Sequence, residues 1–480
     1  MYINIRWMRN WIINLKSCVN KLKVFRTIAL GLLVLLMEGS FLLGQAKRDP
    51  RMVALSGAYT TLADGIYAVG VNPANLAFQH DKPFMWQLST INLGIVNNYF
   101  SLENWAGLSG ADLERNNQEK KKEIFNEIGD ALRLTVDTHM SLPALNFASG
   151  NMAFTSDLII VWDIGIPKDL FHFILEGNDP IGKEFDLTLK YELLGLAEYG
   201  FSFAVPYEKF ALGITFKYLQ GLFYLGIDPD SSFSLITTDT TVFYGNGRYF
   251  IRQGIGGGGF GMDLGFSTKE FNGWKVGFSL INALGKIRWN RPSFTKDLLG
   301  VDQENGLFSW GGEEVTEGSA MVYEFTIDSL NYMDMIDREV SSIISSSKKV
   351  VRDTTASGEP RQFVIRYPAL FRIGVSKQVD PDFLVISDLV AGFQDRLFVQ
   401  KRWKWSIGIK ITRFPGLPLR IGYSWGGRFL KELGLGFGIH KGPIMFDFAL
   451  QFRNGIWFHS MKGISLSTGI SITSFKSRKE

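Results

Sequence analysis

Histidine is the side chain most often recruited for acid–base work or metal binding, and this sequence carries five, at His80, His139, His172, His440 and His459. No two have metal-ligand spacing, and no His-Glu-x-x-His occurs. A Gly-x-Ser-x-Gly nucleophile elbow and a phosphate-binding loop ending in Gly-Lys-Ser/Thr are also missing. The run from Gly254 to Gly259 formally satisfies Gly-x-Gly-x-x-Gly. Dinucleotide binding needs a helix next, and the residues from Phe260 onward alternate as a strand, so a smooth glycine wall open to close backbone approach is expected instead. His440 stands beside the Lys441-Gly442-Pro443 turn, where a solvated strand-end histidine is favoured over the base of a hydrolase. The one cysteine, Cys18, rules out disulfides and thiolate metal sites in everything that follows it. The sequence therefore predicts no enzyme, no metal and no cofactor.

The remaining charges must be read through the elements that carry them. Between Trp403 and Ile411 the odd positions are Trp403, Trp405, Ile407, Ile409 and Ile411, and the even ones are Lys404, Ser406, Gly408 and Lys410. The same period of two recurs over Leu419–Trp425, Leu433–Ile439, Ile444–Phe452 and Ile464–Ile472, joined by turns such as Pro415-Gly416-Leu417-Pro418. Earlier strands follow the pattern: odd positions from Phe185 to Val205, even positions from Leu212 to Tyr224, then Phe260–Phe266 and Trp274–Leu280. One face is large and apolar. The other is glycine, serine and scattered charges of both signs, too sparse for the water-facing side of a sandwich. With Trp403, Trp425, Trp457 and Phe458 at strand ends, the pattern predicts a transmembrane antiparallel β-barrel whose apolar face meets lipid.

Alternation then places Arg372, Asp388, Lys404, Lys410, Arg420, Asp447 and Arg453 on the inner face. Mixed signs argue against a charge-selective pore, in which one sign dominates. Two stretches break the pattern as helices, Ala111–Leu132 and Pro167–Gly177, and Ile287–Arg361 reads as a long extracellular loop with a helix near Leu330–Ile344. The chain begins with a basic stretch and the apolar run Ile28–Met37, followed by Gly44-Gln45-Ala46, which reads as a signal peptide over residues 1–46. Those residues hold six Lys/Arg against one Glu, so the formal +4 of the whole chain becomes −1 for the rest, and no nucleic-acid surface is indicated.

The stretch Ser56-Gly57-Ala58-Tyr59-Thr60-Thr61-Leu62-Ala63-Asp64-Gly65, followed by Val71-Asn72-Pro73-Ala74-Asn75-Leu76-Ala77, resembles the mature N-terminus of the FadL-like outer-membrane family, including its PorV-type members. Gly261–Phe266 and Gly277–Asn282, with Gly285 and Trp289, are similar to the mid-barrel strands of that group. The resemblance implies about fourteen strands in the cell outer membrane, an N-terminal hatch over residues 47–82 and the barrel over 83–480. It implies a gate motif at Asn72, Pro73 and Ala74; without it, Asn72-Pro73 reads as an ordinary turn. The inner charges are then read first as a salt-bridge lattice pinning the hatch to the wall, and second as a substrate site. The expected function is binding or passage of an apolar solute such as a lipid, fatty acid or hydrocarbon. Expected partners are outer-membrane lipid and that small molecule. The alternative is a non-transporting, PorV-like partner of secretion-system proteins.

Overall fold

The computed structural model describes residues 48–79, 84–108, 118–143, 145–176, 181–239, 242–290, 319–331, 349–358, 361–393, 402–427 and 430–474. The expected signal peptide over 1–46 lies outside these residues. In chain order the first strands are β1 (Phe84–Asn97), β2 (Ala131–Ser141), β3 (Phe147–Ser149), β4 (Met152–Pro167), β5 (Glu184–Asp186), β6 (Lys190–Pro206), β7 (Phe210–Ile227) and β8 (Phe233–Thr238). Then come β9 (Val242–Thr268), β10 (Trp274–Arg288), β11 (Ser319–Asn331), β12 (Lys349–Asp353), β13 (Val364–Arg366) and β14 (Leu370–Asp380). The last are β15 (Phe383–Gly392), β16 (Lys404–Ile411), β17 (Leu419–Gly426), β18 (Lys431–Lys441), β19 (Ile444–Arg453) and β20 (Gly463–Thr473).

Fourteen of these close a barrel, each antiparallel to the next: β1, β2, β4, β6, β7, β9, β10 and β14 through β20, with β20 pairing back onto β1. Closure leaves no open edge, and every strand is free to keep one face apolar toward lipid. Exposed aromatics mark both rims. Trp405, Trp425, Trp457 and Phe458 lie at the end bearing the long excursions, and Phe147, Tyr207, Phe271 and Trp274 at the end with short turns. In membrane barrels the long loops face outside.

Three expectations need correction. Leu222 and Tyr224 are buried inside rather than facing lipid, because Leu222 is an extra residue between Leu196↔Gly221 and Gly195↔Phe223. One inserted residue reverses every later side chain of a strand. Ala131 and Leu132 open β2; the helix of that region covers Gln118–Ile128, and residues 109–117 lie outside the described ones. Within 287–361, Ser319–Asn331 is strand, paired along Val242–Gln253 and carrying the barrel wall outward, so Leu330 is not helical. Most of that expected helix, 332–344, falls outside the described residues. The second expected helix spans Lys168–Glu176, straight after Pro167, the last residue of β4.

Candidate functional site

Residues 48–79 run inside the barrel near its short-turn end. A short helix, Pro50–Ala54, is capped by Asp49, whose carboxylate accepts from the amides of Arg51 and Met52. Two 3-10 turns follow, Gly65–Ala68 and Pro73–Phe78. Met52, Leu55, Tyr59, Ile66, Tyr67 and Leu76 form one apolar cluster with the wall residues Met85, Ala204, Ala211, Ile386 and Met445. The segment thus has a core of its own and fills the lumen at this level.

Asn72, Pro73 and Ala74 sit at the wall, all buried. The Asn72 side chain caps the 3-10 turn by accepting from the Ala74 amide at 3.2 Å, and its Nδ2 donates to the Phe266 carbonyl of β9 at 3.1 Å. Pro73 fits the first position of such a turn, where no amide is needed. The approach is close because the wall has no side chains there. A Cβ on Gly213 would collide with the backbone of Pro73 and Ala74, and one on Gly422 with the backbone of Leu55. This explains the glycine-rich inner face. Gly213→Val, which should favour a strand on propensity alone, is instead expected to lower the urea unfolding midpoint, since overpacking costs about 1–3 kcal/mol. Removal of residues 48–79 should restore it. A midpoint unchanged by Gly213→Val would contradict this packing.

Six of the seven inner-face candidates fall into three groups. Arg372 and Asp388 are fully buried and paired at 3.0 Å. Asp388 Oδ2 also accepts from the amides of Tyr59 and Thr60, both at 2.8 Å, and from the Thr60 hydroxyl at 2.6 Å. Arg372 returns a bond to the Gly57 carbonyl at 2.7 Å. In the second group Asp447 lies between Arg420 and the hatch residue Arg51, each at 2.8 Å, with His440 at 3.2 Å. In the third, Glu432 holds Lys404 and Arg453, Arg453 also meets Asp137, and Asp137 faces the hatch residue Arg48 at 3.3 Å. Lys410 stands across from Arg420 and has no ion pair among the described residues. Charges buried this deeply persist only when compensated, so these pairs fix where the hatch sits.

The sequence reading did not single out Arg48, Arg51, Thr60, Asp137 or Glu432. It also missed a wall-to-wall cluster in which Lys217 meets Glu198 at 2.9 Å, Asp263 at 3.0 Å and Asn282 at 2.7 Å. That cluster sits under the most irregular part of the wall. Between Leu280 and Lys286, β10 carries two more residues than β9 opposite, and Asn282 and Leu284 take left-handed backbone conformations with φ of 56° and 62°. Leu284 is consequently turned out, 80% exposed, beside Phe260. The expected glycine wall, Gly254–Gly259, is part of β9, and Gly259 packs directly on the Lys286 carbonyl.

Further from the hatch the inner face changes character. Beyond Asp157, Glu198 and Lys217 the inward positions become Ile159, Val161, Leu196, Leu194 and Leu219. They form one cluster with Ile281, Trp289, Phe363, Ile365 and Tyr367. Porin interiors are polar; this level of the lumen is apolar.

Residues 77–446 match the model of a family of unknown function, DUF5723. No curated protein matches the sequence. Among solved structures, the chain is similar to the Ralstonia pickettii toluene transporter TbuX, with a TM-score of 0.46 at 12% identity over 89% of this chain and 98% of that one. It is similar to the Pseudomonas putida toluene transporter TodX, with 0.45 at 11% over 91% and 99%, and to a Pseudomonas aeruginosa FadL homologue, with 0.42 at 12% over 90% and 98%. With well over half of its length matched, the chain belongs to the DUF5723 family.

Proposed function

We propose that this chain is an outer-membrane barrel that binds an apolar solute, such as a lipid, fatty acid or hydrocarbon, and passes it through a lumen plugged by residues 48–79. The observation that carries this reading is the apolar cluster within the lumen. Ile159, Val161, Leu194, Leu196 and Leu219 point inward on three successive wall strands, where a channel for ions or sugars keeps polar groups. An apolar solute exchanges one set of such contacts for another, whereas a hydrated ion would leave its water unreplaced. Capture at the outer rim then leads into the cluster around Trp289 and Phe363. The doubled bulge of β10 is the place where the wall ladder is already interrupted, and a solute leaves there sideways. No feature among the described residues favours a protein-docking role over this one.

Protein purified from outer membranes in mild detergent is expected to carry a stoichiometric apolar molecule, detected by native mass analysis. Leu196→Gln places an amide without a partner in the cluster, at a cost of about 1–3 kcal/mol, and should weaken retention of a pyrene-labelled hydrocarbon by roughly tenfold or more. A barrel that purifies empty, and binds the probe equally with and without Leu196→Gln, would overturn the proposal.

A further inference from the structure

On the outer surface of the bulged wall three cations stand together with no counter-charge among the described residues. Lys286 of β10 lies directly opposite Arg366 of β13, and Arg288 lies opposite Val364, two positions further along the same face. All three are exposed, and among the described residues none forms an ion pair. Directly opposed like charges destabilise a sheet pair, since their side chains leave Cβ atoms only about 5 Å apart. Elsewhere the described barrel resolves such a juxtaposition: Arg420, opposite Lys410, is neutralised by Asp447. At Lys286 no carboxylate among the described residues does so.

The surroundings are amphipathic. The three cations rim a groove of about 680 Å3 whose remaining wall includes Tyr218, Phe260, Leu284 and Val364. Phe260 and Leu284 are 73% and 80% exposed. The level in the membrane follows from the strand. Twelve positions separate Trp274, at the short-turn rim, from Lys286, and the bulges take up two of them. About ten steps of ~3.3 Å on a strand tilted by ~40° climb roughly 25 Å, the height of a barrel's apolar band. Lys286, Arg288 and Arg366 therefore stand at headgroup height on the side of the long loops, with Phe260 and Tyr218 beside Lys286 in the same cross-strand row and Leu284 two positions nearer the short-turn rim.

We propose that this groove binds the phosphorylated headgroup of an outer-leaflet lipid, with the phosphate bridging Lys286, Arg288 and Arg366 and the acyl chains lying over Phe260, Leu284 and Tyr218. A phosphate supplies the charge that the opposed pair lacks and accepts several charge-assisted hydrogen bonds at once. Its acyl chains cover Phe260 and Tyr218, together with Leu284, which the bulge turns outward. The site is on the outer face of the wall, at the same doubled bulge proposed above as the solute's exit, and lipid titration reads it separately from what the lumen carries.

The test uses the full chain in mild detergent, titrated with lipid A, phosphatidylcholine or inorganic phosphate and followed by native mass spectrometry. One lipid A per barrel should be retained at least about tenfold more tightly than phosphatidylcholine. The combined variant Lys286→Gln, Arg288→Gln and Arg366→Gln should lose that preference. Heat-modifiable gel migration checks that this variant still forms a barrel. Should it not, Phe260→Ala with Leu284→Ala is the second variant, expected to weaken lipid A about tenfold and leave the weak inorganic phosphate binding as it was. Equal retention of both lipids, unchanged retention of lipid A in the triple-Gln variant, or capture of inorganic phosphate without lipid A would each overturn the proposal.

Discussion

A chain lacking residues 48–79 is expected to produce open-channel steps in a planar bilayer, with at least tenfold more conductance than the intact protein. Barrels of eight strands are filled by their own side chains and barrels of sixteen or more hold water, so fourteen strands enclose a space that something must occupy. Here that occupant is the hatch. Its removal takes Met52, Leu55, Tyr59, Ile66, Tyr67 and Leu76 out of the cluster. What remains on strands β14 to β20 is mostly polar: Arg372, Asp388, Ser406, Arg420, Asp447, Gln451, Arg453 and Ser467 all face inward, with Ile386, Met445 and Ala449 among them. These groups keep partners on the wall, as Arg372 does with Asp388 and Arg420 with Asp447, and water solvates whatever the hatch leaves behind. The barrel should therefore survive the deletion. A silent membrane, from protein that still shows heat-modifiable migration, would mean that residues 48–79 are not what closes the lumen.

The distribution of polar and apolar inner faces also explains what could be read in advance. From Trp403 to Ile472 each strand separates a lipid face from a face of glycine, serine and charge, and the alternation is plain. Over Leu158-Ile159-Ile160-Val161-Trp162 it vanishes, because Ile159 and Val161 join the lumen cluster while Trp162 faces out. A strand buried on both sides shows no period. The run of apolar residues on both phases was itself the available signal of an apolar lumen, as at Leu193-Leu194-Gly195-Leu196. Bulges are a second limit. Leu222 appears in the sequence as one more member of a regular series, and only the pairing shows that it is supernumerary. The third limit is distance. Each inner charge on β14 to β20 follows from its own strand, but Arg51 and Asp447 are 396 positions apart, and nothing local in either strand or hatch announces the other.

Asp388→Ala is expected to open the hatch while leaving the barrel standing. The substitution removes the acceptor for the amides of Tyr59 and Thr60 and the Thr60 hydroxyl, and it leaves Arg372 buried without its counter-charge. A stranded buried charge costs about 3–5 kcal/mol, far more than the roughly 1 kcal/mol of a single neutral hydrogen bond. The lumen offers a release that a soluble core lacks: residues 57–61 can leave the wall and admit water to Arg372. Amide exchange at Tyr59 and Thr60 should therefore accelerate by roughly a hundredfold or more, since about 3 kcal/mol corresponds to that ratio. Exchange in β17 to β19 should change little, because their ladders do not touch Asp388. The control is the double change Arg372→Ala with Asp388→Ala. It loses the same bonds to the hatch amides but strands no charge, so its exchange at Thr60 should fall between the native chain and the single variant. If the single and double variants exchange alike, the latch is made by the hydrogen bonds alone and the ion pair adds nothing. If Asp388→Ala exchanges at the native rate, the carboxylate does not hold the hatch, and its closure must rest on the apolar cluster around Leu55 and Tyr67.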